Sequence, residues 1–89
     1  MAFEGMDPDQ IEALGRRLHG EAASLNGIIQ RLDGLVGNMA QNWLGADSTR
    51  FQSTYHQQYR QQLNHATQQL EQLGSAALRN ANEQRAASH

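Results

Sequence analysis

Apolar residues recur at steps of three and four along two long stretches of the chain, with a short break near the middle. In the first stretch Ile11, Leu14, Leu18, Ala22, Leu25, Ile28, Ile29, Leu32, Leu35, Val36, Met39 and Trp43 fall on one side of a helical wheel. Ile11, Leu18, Leu25, Leu32 and Met39 repeat every seven residues, the spacing of a coiled-coil-like seam. In the second stretch Phe51, Tyr55, Tyr59, Leu63, Ala66, Leu70, Leu73, Ala77 and Ala81 share one arc of about 120°. The remaining positions there are mostly Gln, and the apolar stripe marks the segment as an amphipathic helix rather than a low-complexity tract.

Local signals bound these elements. Asp7 suits the N-cap, Pro8 the first helical position, and Gln10 the reciprocal position of a capping box. Asp47, Ser48 or Thr49 can cap or charge the start of the second helix. The pattern predicts helix 1 over about 8–42, a turn at 43–46 and helix 2 over about 47–84. Residues 1–6 show no period and are expected to be loose, and residues 85–89 to fray. At about 1.5 Å per residue the first helix is a rod of roughly 50 Å. Two such rods joined by so short a connection make an all-α antiparallel hairpin. Each apolar arc is wider than a two-helix seam needs, so a second hairpin is expected to cover the excess as a dimeric four-helix bundle.

Composition strengthens that expectation. Of 89 residues 38% are apolar, many of them Ala, and the mean hydropathy is −0.73. So short a chain with few large side chains has little core of its own, and with no Cys it has neither a disulfide nor a thiolate metal site. Association with another chain is the remaining source of stability. The net charge is −2 and the basic residues form no patch, which argues against nucleic acid. No apolar run is long enough to span a bilayer, and Met1–Asp7 lacks the regions of a signal peptide, which taken alone places the chain in the cytosol.

Candidate chemistry is sparse. His19, His56, His65 and His89 have no acidic neighbour three or four residues away, and no paired His or Glu-x-x-His spacing occurs. They read as solvated or rim histidines, with no metal site, no cofactor and no enzyme implied. Tyr55 and Tyr59 are better placed in a core than stacked on bases, since no basic groove accompanies them. Glu21 falls inside the apolar arc of helix 1. It is either a side chain reaching the rim or a candidate specificity contact, made to Gln69 within the hairpin or to a partner. Gly20, Gly27 and Gly34 repeat every seven residues opposite the arc, either as small surface residues or as a smooth groove for another helix. A membrane-surface helix is the weaker reading, because the polar faces carry Gln rather than Lys or Arg.

Between the two helices stands Trp43-Leu44-Gly45, and Phe51 follows six residues after the Gly. A hairpin of this length with Trp-x-Gly in its turn resembles the WXG family of small type VII (ESX) secretion substrates, which includes the early secreted antigens of mycobacteria. The resemblance covers roughly residues 7–84. It implies a secreted protein without a signal peptide, exported as a folded homodimer or heterodimer through a membrane complex driven by an ATPase. It also implies that Trp43 and Gly45 form half of an export signal, the other half being a Tyr-x-x-x-Asp/Glu after helix 2. Here the last tyrosine is Tyr59, and Leu63 stands four residues later. A heterodimer whose related partner carries the tail signal is therefore the preferred expectation. The alternatives are an intracellular adaptor that bundles with a larger helical toxin or effector, and a membrane-disrupting effector. Arg as the sole cationic type besides His, with abundant Ala, suits a GC-rich actinobacterium. The residues expected to build the hairpin and dimer core are Ile11, Leu14, Leu18, Leu25, Ile28, Ile29, Leu32, Val36, Met39, Phe51, Tyr55, Tyr59, Leu63, Leu70 and Leu73.

Overall fold

The computed structural model describes residues 6–87, and the expected loose residues 1–5 and tail residues 88–89 lie outside the described residues. Helix α1 spans Pro8–Asn42. It begins as its sequence dictates, with Asp7 accepting from the Asp9 N–H at 2.8 Å and donating its own N–H to Gln10 at 3.3 Å. It ends where Trp43 leaves the helical region (φ −119°, ψ 104°) while its N–H still reaches the Met39 carbonyl. The return arm is one continuous helical run: α2 (Ala46–Thr54), a π-turn (Tyr55–Tyr59) and α3 (Arg60–Ala87). No strand occurs among the described residues.

The arms pack as an antiparallel hairpin, with Arg85 against Asp9, Gly74 against Gly15, and Tyr55 and Arg60 against Asp33. The shape is correspondingly thin, 65 × 17 × 15 Å. Along α1 the buried residues are Ile11, Gly15, Ala22, Ile29 and Val36. The tightest line is thus Gly15, Ala22, Ile29 and Val36, offset from the heptad Ile11, Leu18, Leu25, Leu32 and Met39 that the apolar pattern favours. Of that heptad only Ile11 is fully buried, and the other four are half-covered. The reason lies at one close approach. A Cβ on Gly15 would sit 2.9 Å from the Gly74 carbonyl oxygen, and a Cβ on Gly74 would sit 2.9 Å from that of Gly15. The arms meet backbone to backbone there, so the contact line follows small residues and larger ones are displaced to the flanks.

The base of the hairpin is closed by Ile11, Ala77 and Ala81, with Met6 and Leu14 packed against them. Met6 is therefore held by packing, unlike the loose start that its lack of periodicity suggests. Arg85 also departs from the frayed tail expected after Gln84. It is helical, and its guanidinium bonds Asp9 and, at 2.8 Å, Glu12. Arg16 pairs with Glu12 on the outer side at 2.8 Å. An ionic clasp across the arms carries the helix past the point where apolar periodicity runs out.

Candidate functional site

The hairpin tip is built from the Trp-x-Gly stretch upwards. Gly45 has φ +122° and ψ 177°, a region in which a Cβ is not tolerated, and it stands directly before the first residue of α2. Its carbonyl then accepts from both the N–H and the hydroxyl of Thr49, at 3.1 and 3.2 Å. The N-cap is thus Gly45 itself, with no side-chain cap. Asp47 supplies first-turn charge, and Ser48 turns inward as a buried residue whose Oγ accepts from Gln52 at 3.0 Å. Gly at this position is a backbone requirement of the reversal.

Trp43 and Phe51 meet across the turn, ring centroids 6.1 Å apart and tilted by 48°. This contact spans the connection, yet Trp43 and Phe51 each stay 40% exposed, and Leu44 between the arms is 82% exposed. The tip therefore presents an aromatic pair and a leucine to its surroundings. Ile28, Leu35 and Tyr59 are also exposed. Ile28 and Leu35 lie seven residues apart, on the flank of α1 that also carries half-covered Leu25 and Leu32. Of the residues assigned to the hairpin and dimer core, Ile11, Ile29, Val36 and Tyr55 are buried within the hairpin. Leu14, Leu18, Leu25, Leu32, Met39, Leu63, Leu70 and Leu73 are half-covered, and Ile28, Phe51 and Tyr59 are exposed. Exposure at this many large apolar side chains is more than a thin two-helix seam absorbs.

Glu21 and Gln69 are both exposed. His19 lies on the rim, its ring bordering the space beside Gly74. Gly20, Gly34 and Gly37 have open space where a Cβ would stand.

The principal polar site is one that periodicity does not mark. Asp33 accepts from the Tyr55 hydroxyl at 2.8 Å and from Arg60 Nε at 3.0 and 3.1 Å. Tyr55 is buried, so its hydroxyl needs this partner. The Tyr55 hydrogen bond, with the Arg60 guanidinium beside it, holds the Asp33 carboxyl below its usual range. Burial, then the Asp33 hydrogen bond, pushes the Tyr55 phenol up. At the base, the Arg85 hydrogen bond and the charge of Arg16 likewise lower Glu12. Folding a hairpin about Gly45 sets 33 opposite 57, between Tyr55 and Arg60. A search for partners of the buried tyrosine at that level is the signal that finds Asp33. Thr67, buried with its hydroxyl bonded to the Leu63 carbonyl, and Gly74 also escape the apolar pattern because neither is apolar and large.

Among the described residues no group of His, Asp or Glu is disposed to hold a metal ion. No described helix is long and apolar enough to cross a membrane. A family model described as proteins of 100 residues with WXG matches residues 5–87. Comparison with curated proteins and with solved structures finds no significant match.

Proposed function

Because the chain belongs to the WXG100 family, we propose that it is a non-enzymatic substrate of a type VII secretion system, exported as a folded helical dimer. The observation that carries the dimer is the half-covered and exposed apolar set on the hairpin, with Ile28, Leu35, Phe51 and Tyr59 outside the intramolecular seam. A second hairpin of the same kind buries such a stripe along its whole length and completes a four-helix bundle. The preferred partner is a related chain that supplies the Tyr-x-x-x-Asp/Glu signal, since Tyr59 is followed four places on by Leu63 and not by an acidic residue. Trp43 and Gly45 then serve twice, shaping the reversal and forming half of the surface that the secretion ATPase reads.

Co-expression with the product of the neighbouring gene, followed by native mass measurement, tests the partner. A one-to-one complex of two hairpins is expected. A stable homodimer exported in the absence of any related chain overturns the heterodimer, and a complex with a much larger protein favours the adaptor role. Trp43→Ala separates the two roles of the tip. Loss of export with the dimer intact assigns Trp43 to recognition, and loss of the dimer assigns it to packing alone.

A further inference from the structure

The return arm has two contact phases, and the π-turn divides them. Before it, the buried residues are Ser48 and Tyr55, and after it they are Thr67, Gly74, Ala77 and Ala81. At about 100° per residue, a straight helix continuing the phase of Ser48 and Tyr55 would turn Tyr59, Ala66 and Leu73 into the hairpin. Thr67 and Gly74 are buried instead, each one place further on, while Ala77 and Ala81, which the unshifted arc also contains, are buried beside them. One extra residue has been accommodated between Tyr55 and Arg60, where the Arg60 N–H bonds the Tyr55 carbonyl, five residues back.

Two contacts match the shifted phase. In an α-helix residues 55 and 60 stand about 140° apart, too far round for one carboxylate to take both. Across a π-turn they come to the same side, and Asp33 receives both the Tyr55 hydroxyl and Arg60 Nε. Downstream, the shift brings Gly74 rather than Leu73 to the point where α1 offers Gly15, and only glycine permits that approach.

We propose that the turn at Tyr55–Tyr59 is an inserted-residue phase shift, locked by Asp33 through Tyr55 and Arg60, that selects small residues for the hairpin seam. It thereby leaves Leu63, Ala66, Leu70 and Leu73 on the half-covered flank of the arm. The chain thus has a surplus residue at one place and nowhere else along α3.

Deletion of Gln57, an exposed residue of the turn, tests this in the full-length chain. The deletion converts the π-turn to an α-turn, keeps Tyr55 and Arg60 on one side at a spacing of four, and leaves the downstream phase unchanged. The thermal midpoint is expected to stay within about 5 °C of the parent, on the scale of the roughly 4–8 °C that each kcal/mol lost is worth in a domain this size. Deletion of Gln69, equally exposed but within α3, rotates Gly74, Ala77 and Ala81 out of the seam and is expected to abolish the cooperative transition. Gly74→Ala reports the phase directly, and should lower the midpoint equally in the parent and in the Gln57 deletion. The proposal is overturned if the Gln57 deletion is as damaging as that of Gln69, or if Gly74→Ala becomes neutral or stabilising in its background.

Discussion

Gly15→Ala and Gly20→Ala form a matched pair that measures the close approach of the arms. Both positions are interior to α1, so both substitutions gain the same helix preference of about 1 kcal/mol. They differ in what the new methyl meets. At Gly20 nothing lies within 4 Å, whereas at Gly15 the methyl stands 2.9 Å from the Gly74 carbonyl oxygen and 2.9 Å from Leu78 Cγ. Leu78 can change rotamer, but the carbonyl belongs to the backbone of the opposing helix and yields only if the arms separate. Overpacking of this kind costs about 1–3 kcal/mol. The common propensity gain cancels in the comparison, so the two variants should differ by that cost. Gly20→Ala raises the unfolding midpoint, and Gly15→Ala lies below it by at least roughly 4–8 °C. Thermal unfolding followed by circular dichroism at 222 nm reads both, with urea unfolding as a check that the transition stays two-state. If both variants raise the midpoint alike, the helices do not touch at Gly15, and the small-residue seam described above is wrong.

Three further outcomes follow from the same contacts. Asp33 and Glu12 titrate below their ordinary range in the folded chain, so the stability they contribute is complete above the unfolded carboxylate pKa of about 4 and is lost as pH falls through the folded values; Asp33→Asn should flatten part of the acid slope of the melting temperature. Tyr55 has the opposite sign, its raised pKa keeping the fold intact below about pH 10 and weakening it as pH rises further; Tyr55→Phe should remove this alkaline loss. Glu21→Leu should leave the isolated hairpin's stability nearly unchanged, because Glu21 is exposed and outside the seam; a change in partner choice measured by competitive co-purification would mark it as a specificity contact, and unchanged partner choice would remove it from that role.

The hairpin was legible in the sequence because α1 is one unbroken α-helix from Pro8 to Asn42 and its periodicity holds over that whole length. The Asp7 cap and the reversal at Trp43-Leu44-Gly45 are local signals and could be read one residue at a time. The second arm was less legible, for a definite reason. A wheel drawn at constant angle tracks an unbroken α-helix, so it selects Ala66 and Leu73, while the turn at Tyr55–Tyr59 passes the seam to Thr67 and Gly74. Gly15 is hard to read for another reason. As a helix residue it looks like a penalty, and only the opposing Gly74, remote in sequence, turns that penalty into a contact. Asp33 and Arg60 belong to the same class, since an ion pair between arms leaves no periodic trace in either one.

The slenderness of the hairpin governs how its assembly must be measured. A compact chain of 89 residues has a radius of gyration of about 12 Å, whereas this one reaches 19.0 Å. Frictional drag grows with length, so the single hairpin elutes from a sizing column ahead of globular standards of equal mass. A lone copy thus mimics a pair by elution volume. A side-by-side pair thickens the rod without lengthening it, so its Stokes radius grows by less than the doubling of mass suggests. Light scattering or sedimentation equilibrium, which weigh the particle without regard to its outline, count the copies correctly.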